Sequence, residues 1–277
     1  MLECVVNLSE GRDRDLLVSL SRAAERELLD VHDDAVHNRS VFTLVGTDAP
    51  RRLARAAVAS LSLDRHDGVH PRLGVVDVVP FVPLDGSTMV DAATARDEFA
   101  RWIADELEVP AFLYGPFIDG GERTLPELRR RAFRDLVPDH GPSSPHPTAG
   151  AVCVGARDFL VAYNVWLDPD TSIDTVRAIA RAVRGDGIRS LALVEHGPHG
   201  HLVQVSMNLV DCHRVGPAEA FDRVCEKANE IGAIVHHTEL VGLVPEGVLA
   251  RIPRDRWEEL DVAADRTIEA RLRRIRR

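Results

Sequence analysis

Between residues 159 and 240 the hydrophobic pattern switches period four times, and nothing else in the chain limits its fold so tightly. Residues 159–167 alternate apolar and polar as a half-buried strand does, and 174–183 repeat their apolar positions at helical spacing. Residues 191–194 and 202–209 read as strands. Residues 217–231 read as a helix opened by Val215-Gly216-Pro217, and 233–240 as a last strand. That order is the split βαβ, or ferredoxin-like, pattern. The first half holds a similar order with extra helical pieces. Strands are expected at 2–8, 28–32, 40–45, 75–82 and 110–114, the last of these closing that half. Helices are expected after Ser9 as N-cap, from Asp48 to about 61, and over 91–107. A Pro- and Gly-punctuated connection follows from 115 to 150, with a basic helical stretch at 127–134. Residues 254–277 read as one amphipathic helix with Trp257, Leu260, Val262, Ile268 and Leu272 on its apolar side. The expected fold is α+β: two ferredoxin-like (βαββαβ) subdomains, a structural duplication, each sheet with helices on one face. Their open faces are expected to pack opposite each other and leave a ligand groove.

Composition narrows the function classes. The formal net charge of −10 over 277 residues argues against a polybasic nucleic-acid binder. No apolar run approaches the ~18 residues of a membrane span; even the most apolar stretch, 74–84, is interrupted by Asp77. The N-terminus carries Glu3 and lacks a basic segment ahead of a long apolar core, so no signal peptide is expected and the protein reads as cytoplasmic. Cys4, Cys153, Cys212 and Cys225 are scattered, which suits buried reduced thiols. Lys227 is the only lysine and sits on a charged helix face, a poor place for a Schiff base.

The densest polar constellation is Asp64-Arg65-His66-Asp67-Gly68-Val69-His70-Pro71-Arg72-Leu73-Gly74, a loop just ahead of an apolar strand. An imidazole held there can take a proton from an attacking amine and return one to a leaving group, and arginines offer forked donors to carboxylates. The alternative is a solvated loop. His66 and His70 have a metal-ligand spacing only on a helix, which Gly68 and Pro71 disfavour. His32, His37, Asn38 and Arg39 form a second cluster between two strands. His196, His199 and His201 form a third, with hairpin-turn residues between them. His236 and His237, adjacent on a strand, are expected to face opposite ways. Residues 139–150 read either as a linker or as a loop lining the groove, with backbone N–H groups and hydroxyls for a ligand. No phosphate-binding glycine motif is present.

Cys4-Val5-Val6-Asn7-Leu8-Ser9-Glu10-Gly11, His37-Asn38-Arg39-Ser40-Val41-Phe42-Thr43 and His66-Asp67-Gly68-Val69-His70-Pro71-Arg72-Leu73-Gly74 together resemble the formiminotransferase domain family. So do Gly141-Pro142-Ser143-Ser144, Gly155-Ala156-Arg157-Asp158-Phe159-Leu160, Val205-Ser206-Met207-Asn208-Leu209 and Glu239-Leu240-Val241-Gly242-Leu243-Val244-Pro245, in family order across about residues 2–250. The family includes the formiminotransferase part of formimidoyltransferase-cyclodeaminase, and no cyclodeaminase region is expected in a chain of this length. The resemblance implies an N-terminal subdomain at 1–157 and a C-terminal one at 158–277, a folate tunnel between their sheets, and a homodimer. It implies transfer of a formimino group from N-formimino-L-glutamate to N5 of tetrahydrofolate, the co-substrate, in histidine degradation, with no metal, nucleic acid or membrane partner. The family's catalytic histidine falls on His70. Its folate stretch falls on Gly141, Pro142, Ser143, Ser144, Pro145, His146, Pro147, Thr148, Ala149 and Gly150. His32, Asp33, His37, Asn38, Arg39, His66, Arg72 and Arg157 are candidates to hold the anionic substrates. One position departs from the pattern: animal members carry an aspartate where His32 stands, so Asp33 or Asp34 after a register shift, or His32 itself, takes its place. Two other readings are a 5-formyltetrahydrofolate cyclo-ligase, which needs ATP, and a folate-binding subunit without turnover.

Overall fold

The computed structural model describes residues 1–68, 71–117, 119–197 and 200–276, and it divides into two units, Met1–Asp158 and Phe159–Arg277. In the first unit β1 (Leu2–Leu8), α1 (Arg14–Ala24), β2 (Leu28–Asp34), β3 (Arg39–Val45), α2 (Asp48–Ser60) and β4 (Val76–Pro83) follow the βαββαβ order. They form an antiparallel sheet in the order β2-β3-β1-β4. An extension then continues the same sheet: α3 (Met89–Leu107), β5 (Ala111–Pro116), β6 (Glu122–Arg123), α4 (Leu125–Arg131) and β7 (Val152–Ala156). β7 inserts between β4 and β5, parallel to both, giving a mixed sheet of seven strands.

The second unit repeats the simple version. β8 (Val161–Leu167), α5 (Ile173–Ala182), β9 (Ile188–Gly197), β10 (Gly200–Leu209), α6 (Pro217–Glu230) and β11 (Val235–Val241) form a four-stranded antiparallel sheet, β11-β8-β10-β9. Short helices α7 (Glu246–Leu249) and α8 (Ile268–Ile275) follow. The βαββαβ order expected of each half is therefore present in both, with the extension added only to the first.

Burial follows the pleat. Leu2, Cys4, Val6 and Leu8 of β1 and Phe42 and Leu44 of β3 pack against Leu17 and Leu20 of α1 and Leu53 and Ala57 of α2. On the opposite face Phe112, Tyr114, Ala151 and Cys153 are covered by Leu128 of α4 and by Ala132. In the second unit Tyr163, Val165, Val205 and Met207 pack against Val176 and Ile179 of α5 and Ala220 and Val224 of α6.

Four expectations need correction. Ser9 does not cap α1: its hydroxyl donates to the Gly74 carbonyl at 2.8 Å, while the Asp13 carboxylate accepts from the Leu16 amide at 3.0 Å. The strand at 110–114 is not the last of its half, because β7 lies in the middle of the sheet. Residues 254–277 are not one helix. Asp261 takes a positive φ of 51°, and the Leu260 carbonyl accepts from the Tyr163 hydroxyl, so the segment turns to plug the second core. Finally, His236 and His237 do not diverge. A bulge in β11 breaks the alternation and sets their Nδ1 atoms 2.7 Å apart. The hairpin expected around His196 and His201 is present as β9–β10; His199 lies outside the described residues.

Candidate active site

Four connections emerge at one end of the first unit's sheet. β1 runs antiparallel to β3 and β4, and β4 runs parallel to β7. The end of β1 therefore lies beside the starts of β3, β4 and β7, and residues 9–13, 35–38, 61–68, 71–75 and 140–151 meet there.

Asn38 ties three of them together. It takes a left-handed φ of 48°, which asparagine tolerates, and it is only 6% exposed. Its Oδ1 accepts from the Gly11 amide at 3.0 Å, and its Nδ2 donates to the Asp67 carbonyl at 3.0 Å. Its own carbonyl accepts from His66 Nε2 at 2.7 Å, which places a proton on that nitrogen. Close backbone approach makes glycine necessary at two points. A Cβ on Gly11 would lie 2.2 Å from the Asp34 carbonyl oxygen, and one on Gly68 2.4 Å from that of His37. Arg12 adds an outer tie, donating to Asp67 and to the Ala35 carbonyl.

Beside Asn38, the half-buried Asp34 pairs with the buried His37 through Oδ2 and Nδ1. Burial alone would raise the Asp34 pKa. The bonds from His37 and from the Val36 and His37 amides outweigh burial and hold it below its ordinary value. The arrangement is a carboxylate that fixes the tautomer of an imidazole.

Asp77 occupies a bulge. Leu8 pairs with Val76 and Asn7 with Val78, so Asp77 is the extra residue, re-aimed away from the helical face. It is fully buried. Its Oδ2 accepts from Arg39 at 2.7 Å and Arg129 at 2.5 Å, and its Oδ1 accepts from the Leu73 amide at 2.8 Å. Burial pushes its pKa up, but the two guanidiniums and the Leu73 amide push harder, and the net direction is down.

The stretch resembling the family's folate segment sits directly against the 61–75 loop. Leu63 N–H donates to the Thr148 carbonyl at 2.9 Å, Val75 N–H to Ala149 at 2.9 Å and Ala151 N–H to Leu73 at 3.0 Å. Gly74 and Gly150 pack backbone to backbone. His146 Nδ1 accepts from the Ala149 amide at 3.0 Å and the Thr148 amide at 3.3 Å. Gly141, Pro142, Ser143, Ser144, Pro145 and Pro147 are exposed.

The predicted site residues thus separate into groups. His32, Asp33, His37, Asn38, Arg39, His66 and Arg72 gather at this end of the sheet with 141–150; His70 lies outside the described residues. Within the gathering, Asn38 and Arg39 turn inward. Asn38 is spent on the three loops, and Arg39 donates to Asn7 at 2.9 Å and to Asp77. Arg72 braces its own loop, donating to the carbonyls of Gly68 at 3.0 Å and His66 at 3.3 Å. Arg157 follows the far end of β7, roughly 20 Å from Ala151 at about 3.3 Å per residue, and is not brought to the cluster. Asp34 was raised only as a register-shifted stand-in for the family aspartate, and Asp77 and Arg129 were not among the predicted residues. The sequence signals were an aspartate interrupting an apolar strand and a basic stretch with no assigned partner. Burial raises the thiol pKa of Cys4 and Cys153, so neither is poised as a nucleophile. Among the described residues no three His, Cys, Asp or Glu side chains cluster as metal ligands. No helix among them is long and apolar enough to cross a membrane.

The chain matches two family models: the formiminotransferase domain, N-terminal subdomain, over residues 1–157, and the formiminotransferase domain over 162–254. It is 36% identical over 273 residues to the glutamate formimidoyltransferase of Streptococcus pyogenes serotype M1, covering 90% of each chain. It is 35% identical over 280 residues to that of Thermoplasma acidophilum, covering 92% of this chain and 91% of the other. Against the formimidoyltransferase-cyclodeaminase of Sus scrofa the identity is 34% over 273 residues, and the chain spans 50% of that protein's length.

Proposed function

We propose, from the premise that this chain belongs to the formiminotransferase family, that it is a glutamate formimidoyltransferase. It moves the formimino group of N-formimino-L-glutamate to N5 of tetrahydrofolate, giving 5-formiminotetrahydrofolate and L-glutamate. N5 attacks the amidine carbon and a new C–N bond forms. A base takes the N5 proton, and the tetrahedral intermediate collapses as that proton passes to the departing glutamate nitrogen. We assign the base to His70, the position of the family's catalytic histidine. The reading keeps residues 1–157 and 158–277 as the N- and C-terminal subdomains of one transferase acting in the cytoplasm as a homodimer.

One observation supports this reading above the others: the histidine-bearing connection 61–75 is hydrogen-bonded at both its ends, through Leu63 and Val75, to Thr148 and Ala149 of the 141–150 stretch. A base and a folate segment need that proximity, because holding both substrates in line supplies much of the acceleration. The exposed Ser143 and Ser144 and the backbone around Gly141 offer hydrogen-bonding groups to the folate. The Asp34–His37 pair supplies a half-buried carboxylate two residues from the position where animal members carry an aspartate.

The test incubates purified protein with tetrahydrofolate and N-formimino-L-glutamate without ATP and follows 5-formiminotetrahydrofolate by absorbance. Turnover is expected, reduced on the order of 10²–10⁴-fold in His70→Ala. An unimpaired His70→Ala enzyme removes the base assignment. Absence of turnover without ATP, with 5-formyltetrahydrofolate consumed when ATP is added, replaces the transferase by a cyclo-ligase.

A further inference from the structure

We propose that Arg129 is a positioning residue: with Asp77 it clamps the strand-side end of the 66–74 loop, and the transfer rate depends on that clamp. The functional half of this inference rests on the transferase reading above.

Asp77 already has a cation without Arg129. Arg39 reaches its Oδ2 at 2.7 Å and is itself completed by Asn7 Oδ1 at 2.9 Å, so one carboxylate is balanced by one guanidinium. A second arginine drawn into the same buried place costs desolvation that charge balance does not require. What Arg129 adds is a bridge. Its Nη2 donates to Asp77 at 2.5 Å while its Nη1 donates to the Pro71 carbonyl at 2.9 Å. Proline has no N–H, so that carbonyl is the backbone's one polar handle at residue 71. Two residues on, the Leu73 amide donates to Asp77 Oδ1 at 2.8 Å. One buried carboxylate and one fork therefore hold both Pro71 and Leu73. On the other side of the loop Asn38 holds Asp67 and His66.

The origin of Arg129 supports the assignment. It lies on α4, inside the extension α3–β7 that the second unit lacks. α4 covers β5 and β7 through Leu128, and the next residue of the same helix reaches across to the loop. The planar fork serves the carboxylate and the carbonyl from two separate nitrogens in a fixed geometry, which the single ammonium nitrogen of a lysine does not reproduce.

The test compares the full chain with Arg129→Met and Arg129→Lys by steady-state kinetics, thermal melting and hydrogen–deuterium exchange. Exchange across 66–74 is expected to quicken in both variants while exchange across 92–104 of α3 stays unchanged. The kcat is expected to fall on the order of 10–10²-fold, with KM for tetrahydrofolate held within about twofold. The melting midpoint should move little, because Arg39 still neutralises Asp77. Lysine should fail to restore kcat. Unchanged exchange at 66–74 in Arg129→Met overturns the clamp, whether or not the wild type turns over. Faster exchange with unchanged kcat, or full recovery by Arg129→Lys, overturns the positioning role. A wild type without turnover removes the transferase reading, and the exchange result still decides the clamp.

Discussion

Both units carry a bulge at the same place in the βαββαβ order, where the last strand begins to pair with the first. In β4 the extra residue is Asp77, opposite the Asn7–Leu8 step; in β11 it is His236, opposite the Trp166–Leu167 step. The first is fully buried between two arginines. The second is exposed and touches only its neighbour His237 among the bonds it is seen to make. The connection just before each bulge differs in the same sense. Residues 231–234 link α6 to β11 by the shortest route, whereas 61–75 link α2 to β4 through the polar loop that holds His66, His70 and Arg72. The topology is common to both copies and carries no chemistry by itself. What the first copy has beyond the second is a longer connection and an inserted helix that bonds to it.

The comparison can be broken at matched positions. The largest effect is expected at the bulges. Asp77→Asn removes the buried charge that two half-buried guanidiniums share and should cost on the order of 3–5 kcal/mol in chemical denaturation. His236→Asn should stay within about 0.5 kcal/mol, as exposed substitutions do. Equal costs would mean that the two bulges are equivalent. The Asp77 difference also has a pH signature. Its native pKa is depressed, so its contribution is full above the unfolded value of about 4 and is lost as pH falls through the lowered native value. The gap between wild type and Asp77→Asn should therefore be complete at neutral pH and close in acid.

A smaller effect is expected from glycines. Gly68→Ala would place a Cβ 2.4 Å from the His37 carbonyl oxygen, so backbone must shift, at about 1–3 kcal/mol. Gly247→Ala on α7 meets nothing within 4 Å and should be neutral or stabilising by up to roughly 1 kcal/mol. A tolerated Gly68→Ala would show that the loops at this end of the sheet can separate freely.

Much of this comparison was legible in the residues, and the failures have physical causes. The second unit could be read because its strands alternate in polarity: Tyr163 and Val165 lie in the core, while Asn164 between them, also buried, turns to Glu239. β7 could not. Val152-Cys153-Val154 is a short central parallel strand buried on both faces, so it shows no alternation to detect. The stripe at 254–277 misled because Trp257, Leu260 and Val262 plug a core from irregular turns, and apolar content alone does not reveal the break at Asp261. In the site, the histidine-rich loop and the 37–39 cluster announced themselves by composition. Arg39 and Asn38 were assigned outward to substrate, whereas their buried partners turn them inward. Arg129 and Asp77 are far apart in the chain, and no local pattern joins them.

The central claim is that the site belongs to the loops at one end of the first unit's sheet. Hydrogen–deuterium exchange with and without saturating tetrahydrofolate tests it most directly. The account predicts that the folate slows exchange within 61–75 and 141–150 and leaves 92–104 of α3 unchanged. Binding that protects neither loop would contradict it.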